Sequence, residues 1–108
     1  MTRRYVLAPQ AARDLVQIWR YVKRQASQEA ADRVESVIRS KCVYLASFPD
    51  AGHWRRDLTS ADVRFFSVYS YLIVYRPETK PLQVVTILHG SRDVAGILSE
   101  GLLSGSEQ

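Results

Sequence analysis

Apolar positions gather in three short runs in the second half of the chain: Val63 to Val68, Tyr71 to Arg76 and Leu82 to His89. Each is rich in Val, Ile, Phe, Tyr and Thr, side chains that pack well on a pleated surface, so each predicts a strand. The links are brief and turn-like: Tyr69-Ser70, then Pro77-Glu78-Thr79-Lys80-Pro81. Links of this length favour an antiparallel meander, because parallel neighbours need a crossover of about a dozen residues. The first half has a different period. Ala11, Leu15, Ile18, Trp19, Val22 and Ala26 recur three and four residues apart and predict a helix from Gln10 to about Gln25, with Pro9 in its first turn. Arg13, Asp14, Gln17, Arg20, Lys23 and Arg24 are assigned to its outer side. Ser27 suits the N-cap of a second helix, whose apolar face runs through Ala30, Val34, Val37, Ile38, Cys42, Leu45 and Ala46 and which stops near Ser47, ahead of Phe48-Pro49.

So close a junction makes the helices an antiparallel hairpin. A first strand is expected within Arg3 to Ala8. The fold class is therefore α+β: an N-terminal strand, then a helical hairpin packed on one face of a mainly antiparallel sheet completed by the meander. The other face, with its arginines and one histidine, is expected to be the working surface. Val94 to Leu98 fits one more turn of helix or a short strand. The expected domain spans residues 1–98, with a frayed Ser/Gly/Glu-rich tail over 99–108.

Composition narrows the function classes. The chain of 108 residues has room for one core. No run approaches the roughly 18 apolar residues of a membrane span, and the basic N-terminus has no apolar stretch of the kind a signal peptide needs. The single Cys42 excludes an intrachain disulfide and sits where a small buried hydrophobe would. Together these features make the cytoplasm the expected location. A net charge of +4 favours an acidic partner, nucleic acid or protein, without choosing between them. There is no Gly-rich phosphate loop, no pair of Cys or His at metal-ligand spacing and no nucleophile elbow, so no cofactor or metal is expected.

The chemistry that remains is basic and aromatic. Trp54 beside Arg55 and Arg56, in the polar connection from His53 to Ala61, suits binding of a base or a partner protein; otherwise its indole folds onto the core. His89 shares the strand parity of Gln83, Val85 and Ile87 and ends that row, either as a structural histidine or as a general acid or base. Arg64, Arg76 and Arg92 lie near strand ends; if they converge they could hold phosphates. Otherwise Arg92 and Asp93 pair with each other or with the hairpin.

An ordered set of residues resembles the ParE branch of the RelE/ParE toxins. It comprises Asp14-Leu15-x-x-Ile18-Trp19-x-Tyr21, Leu45-Ala46-x-Phe48-Pro49-x-x-Gly52, Arg56-Asp57-Leu58 and Arg64. Tyr71-Leu72-Ile73-Val74-Tyr75-Arg76-Pro77 and Leu88-His89-Gly90-x-Arg92-Asp93 complete it, and the likeness covers roughly Arg3 to Leu98. The resemblance implies a bacterial type II toxin, neutralised by a ParD-like antitoxin that lays a segment beside the first helix, where Leu15, Trp19 and Val22 would form the rim. It implies DNA gyrase as the target, with Trp54, Arg55, Arg56, Arg64, Arg76 and Arg92 as target-binding candidates. The alternative is a RelE-like endonuclease acting on mRNA at the ribosome, with Arg64, His89 and Arg92 at the scissile phosphate. Against it, this chain lacks the terminal tyrosine of many such members, and Asp57 and Asp62 are its only carboxylates shortly before Arg64. A second alternative is a non-toxic homologue that only binds antitoxin.

Overall fold

The computed structural model describes residues 4–99. The elements run β1 (Tyr5–Leu7), α1 (Pro9–Gln25), α2 (Gln28–Ser47), a 3-10 turn (Pro49–Ala51), β2 (Arg64–Val68), β3 (Tyr71–Arg76), β4 (Leu82–His89) and α3 (Val94–Ile97). Pro9 opens α1 as its period predicts, and the Ser27 hydroxyl accepts the Ala30 N–H at 3.0 Å to cap α2. The segment after Asp93 is a turn of helix, capped by the Asp93 carboxylate. Of the expected tail, only Ser99 lies within the described residues.

The strand order is β1-β4-β3-β2, with β2, β3 and β4 antiparallel and β1 parallel to β4. The α1–α2 hairpin covers one face. Leu15, Ile18, Ile38, Cys42 and Leu45 from the helices meet Ile73, Tyr75, Val84 and Ile87 from the sheet there. Trp19 spans the hairpin: its indole N–H donates to Asp32 at 2.8 Å and Lys23 lies over its ring.

Three expectations are corrected. The face away from the hairpin is not open. Val63, Phe65, Val74, Val85 and Leu88 bury themselves there under Leu58 and Ala61 of the long connection and under Val94, Ile97 and Leu98. This second, smaller core forms because the meander strands are apolar on both sides and each side needs a cover. Next, Val85 and Ile87 do not share a face: an irregularity in the β3–β4 register skips Val85, leaving it in the second core and Ile87 in the first. His89 consequently lies on the hairpin side. Finally, Asp14 is not on the outside of α1. It is 9% exposed and faces the sheet. Its Oδ2 accepts from the Thr86 hydroxyl and from the Ile87 N–H at 3.0 Å, beyond the end of the β1–β4 pairing. Its Oδ1 accepts from Gln10 at 2.8 Å.

Cys42 is fully buried, and burial pushes its thiol up to about 12. The fold therefore holds the neutral thiol. That contribution to stability is complete below the ordinary value of 9.0 and is lost as pH rises towards about 12. Burial raises the Tyr71 and Tyr75 phenols as well, which acts in the same sense. The urea midpoint is expected to hold up to about pH 9 and to fall steadily above it. A midpoint unchanged at pH 11 would rule this out.

Candidate functional site

Two concave surfaces flank α1. The first lies between α1, α2 and β1, is about 290 Å³, and is lined by Ala12, Leu15, Val16 and Trp19 with Glu35 and Arg39 across from them. Its floor is Leu15, which is almost fully buried; Val16 is half exposed at its rim. Glu35 and Arg39 form an ion pair at 3.0 Å. Val22, the third residue expected at this rim, is half-buried and packs against the main core. The second surface, about 320 Å³, lies between the C-terminal half of α1 and the end of the sheet where β4 stops. Ile18 and Ile87 line it together with Tyr21, Tyr71, His89 and Arg92. The two sets on α1, 12/15/16/19 and 14/17/18/21, are offset by two residues. At about 100° per residue that puts them on opposite flanks.

In the second groove His89 is held in one tautomer. The Ser91 N–H approaches its Nδ1 at 3.2 Å, and an amide can only donate. The Ser91 hydroxyl, 2.6 Å from the same nitrogen, donates as well. Nδ1 is thus the acceptor, and the neutral ring carries its proton on Nε2. Tyr71 meets the imidazole edge-on, ring centres 5.4 Å apart. The side chain of Arg92 has no hydrogen-bond or ion-pair partner among the described residues; only its main chain is engaged, through the N–H donated to His89 at 3.1 Å.

The other arginines behave differently. Arg55 grips Asp57 through two bonds, 3.0 and 2.8 Å, and holds that carboxyl below its usual range. Arg56 donates to the Ser60 and Ala61 carbonyls and pairs with Asp62 at 3.3 Å. Arg64 donates to the Gly52 carbonyl at 2.8 Å and lies 3.6 Å from the Asp50 carboxylate. Arg56 and Arg64 both lie over the Trp54 ring, at 4.8 and 4.3 Å from its centre. Trp54 therefore neither enters the core nor projects freely; it is 39% exposed under two guanidinium groups. Arg76 ends β3 opposite Gln83, half-buried and engaged in contacts of its own. Each of Arg55, Arg56 and Arg64 faces a carboxylate, which lowers the pull of this end on phosphates.

The structure brings His89 and Arg92 together and leaves Arg64 elsewhere. Arg64 pairs with Tyr75 and His89 with Tyr71, four residues apart along β3 and on opposite sides of it. At about 3.3 Å per residue and 4.8 Å per strand, their Cα atoms are on the order of 15 Å apart. The Arg64 guanidinium is further drawn to the 3-10 turn. The three candidates for a scissile phosphate do not share one site.

The sequence matches the family described as ParE toxin of type II toxin-antitoxin system, parDE, over residues 5–94. The chain belongs to the ParE toxin family. Among solved structures, it is similar to one titled "Chromosomal ParDE TA system from P. aeruginosa", with a TM-score of 0.67 and 19% identity. That match covers 82% of this chain and 96% of the other, and at this identity it establishes the shared fold. No protein of curated function matches. Among the described residues of this ParE toxin, no group of three His, Cys, Asp or Glu could hold a metal ion, and no helix is long and apolar enough to cross a membrane.

Several lining residues were not among the sequence candidates. Val16 and Tyr21 are both about half exposed on α1. The signal available was a large apolar residue standing off the buried stripe, but single exposed hydrophobes are common enough to pass unremarked. Tyr71 and Gln17 had no distinguishing signal. They become site residues only when β3 and α1 are placed side by side.

Proposed function

We propose that this ParE toxin acts in the cytoplasm by binding DNA gyrase, without chemistry of its own, and that a ParD-like antitoxin neutralises it by laying a segment along the α1–α2 groove. The family supplies the toxin class. The observation that carries binding over catalysis is the dispersal of the three residues, Arg64, His89 and Arg92, that a reaction centre would need together. Arg64 is about 15 Å from His89, by strand geometry, and spends its guanidinium on Gly52, Asp50 and Trp54. His89 supports the same reading. In the neutral ring its basic nitrogen, Nδ1, faces Ser91 of its own loop, and the nitrogen left over is a donor. For the antitoxin, the Leu15–Val16–Trp19 wall offers an apolar strip bordered by the Glu35–Arg39 pair, a fit for an amphipathic segment that folds on binding.

The test is supercoiling by purified gyrase with and without the toxin, with antitoxin as the reversal control. Loss of supercoiling or accumulation of cleaved DNA, restored by antitoxin, is expected. Unchanged supercoiling at excess toxin defeats the gyrase reading and moves the target to mRNA at the ribosome. In that case His89→Ala and Arg64→Ala should each abolish toxicity while leaving the protein folded. Normal growth on unopposed expression would point to a homologue that only binds antitoxin.

A further inference from the structure

The groove at the β4 end differs from the rest of the basic surface in what it offers. Arg92 presents a guanidinium with no partner among the described residues, whereas Arg55, Arg56 and Arg64 each face an aspartate. His89 adds an Nε2–H donor, fixed by the Ser91 contacts on the other nitrogen. The one carboxylate in the groove, Asp14, is already saturated by Gln10, Thr86 and Ile87, so it offers a ligand little as an acceptor. The groove is thus lined by two donors, the Arg92 guanidinium and the His89 Nε2–H, and by no carboxylate with its bonding capacity open. Between them, Ile18 and Ile87 provide an apolar floor and Tyr21 and Tyr71 an aromatic wall. Tyrosine and arginine around an apolar depression are the composition of protein–protein hot spots.

A further observation concerns the same end of the sheet. Tyr69, in the two-residue β2–β3 turn, sits at φ 55° with its side chain 59% exposed. A bulky residue rarely adopts this left-handed conformation, and such strain persists where the surroundings impose it, often at binding surfaces. The neighbouring Ser70 carbonyl accepts the Gly90 N–H at 2.8 Å and ties that turn to the segment carrying His89 and Arg92. The β2–β3 turn and the end of β4 are thereby joined by a backbone hydrogen bond.

We propose that this groove is where the toxin grips its target, and that the target is a protein segment presenting a carboxylate next to a large apolar side chain. This rests on the reading of the chain as a toxin that acts by binding. The carboxylate would take the Arg92 fork and the His89 Nε2–H; the apolar side chain would settle on Ile18 and Ile87 between the tyrosines. One guanidinium fork and one imidazole N–H suit a single carboxylate. A nucleic acid backbone calls for several phosphate contacts along its length. Because the groove lies on the opposite flank of α1 from the antitoxin groove, the two can be disabled separately.

The test compares wild type, Arg92→Lys, Arg92→Glu and Tyr21→Ala, each confirmed folded by thermal unfolding. Three readouts are made: growth on unopposed expression, gyrase supercoiling, and affinity for antitoxin. Arg92→Glu and Tyr21→Ala are expected to weaken gyrase inhibition at least about 30-fold and to restore growth, with antitoxin affinity within about 3-fold of wild type. Arg92→Lys should fall between, since an ammonium keeps the charge and loses the fork. Arg92→Glu that inhibits and arrests growth like wild type overturns the proposal even if gyrase is the target. Wild type that arrests growth without touching gyrase, and is relieved by Arg92→Glu, defeats gyrase and sustains the groove. Titration with a 30-nucleotide RNA or DNA duplex supplies the last arm. Tight, steeply salt-dependent binding abolished by Arg92→Glu would make the groove a nucleic-acid site and overturn the proposal.

Discussion

Replacing Asp14 by alanine is expected to destabilise the toxin by roughly 3–5 kcal/mol, as each buried donor stripped of its acceptor costs about 1–3. Two such donors are left behind: the Thr86 hydroxyl and the Ile87 N–H. Thr86 is fully buried and Ile87 nearly so, leaving water little access to either. The carboxylate has no cationic partner among its hydrogen bonds; three neutral donors hold it. Against a total stability of about 5–15 kcal/mol for a domain of this size, the loss is a large fraction. It should appear as a fall in melting temperature of roughly 15 °C or more. Asp14→Asn is expected to be much milder, about 1–2 kcal/mol. Its carbonyl can replace Oδ2 towards Thr86 and Ile87, and its amide can face a flipped Gln10 side chain. Urea unfolding of both variants, with slopes compared, checks this. An alanine variant within about 1 kcal/mol of wild type would mean that Asp14 does not hold the strand to the helix.

Asp14 also shows where the sequence was legible and where it was not. Helices and strands could be read because apolar spacing decides them: Ala11, Leu15 and Ile18 in α1, the Val/Ile/Phe runs in β2 to β4. Asp14 was placed outside on its chemical type, although it lies three residues after Ala11 and four before Ile18, on the buried stripe. Its angle was in the sequence, but the acceptor-hungry Ile87 N–H that makes burial tolerable was not. The register change at Val85 left no trace, because one extra apolar residue within Val84-Val85-Thr86-Ile87 looks like any other. It shifted the parity of everything before it and so hid which face His89 shares. The second core was missed for a similar reason. Leu58 and Ala61 are sparse in a polar connection, and only the closed fold reveals that they cover Phe65 and Val74. Of the candidate site, the sequence shows only that His89 and Arg92 stand three residues apart; whether the arginines converge was not legible. The separation of Arg64 depends on the pairing of β2 with β3 and could not be read from its position alone.

Gly52→Ala should destabilise by about 1–3 kcal/mol, the usual cost of forcing an extra methyl into a packed site, and should show a tell-tale coupling to Tyr75. The backbone at Gly52, φ −78° and ψ 177°, is open to any residue, so the penalty is one of space. A Cβ there would meet the Tyr75 hydroxyl at 2.5 Å, its Cε1 at 2.8 Å and the Phe65 carbonyl at 2.9 Å. The closeness has a purpose. The fully buried Tyr75 donates its hydroxyl proton to the Pro49 carbonyl at 2.6 Å and accepts the Gly52 N–H at 2.9 Å, locking the 3-10 turn onto β3. This explains physically why Pro49-x-x-Gly52 and Tyr75 occur together in the chain. Tyr75→Phe alone should cost about 1–3 kcal/mol through the two orphaned backbone groups. With the hydroxyl gone, the worst contact of the methyl introduced by Gly52→Ala disappears, so the double variant is expected to fall short of the summed losses by about 1 kcal/mol. Strict additivity would instead mean that the methyl is accommodated elsewhere while the Tyr75 hydroxyl keeps its bonds to Pro49 and Gly52, so that the turn and β3 are not coupled through this contact.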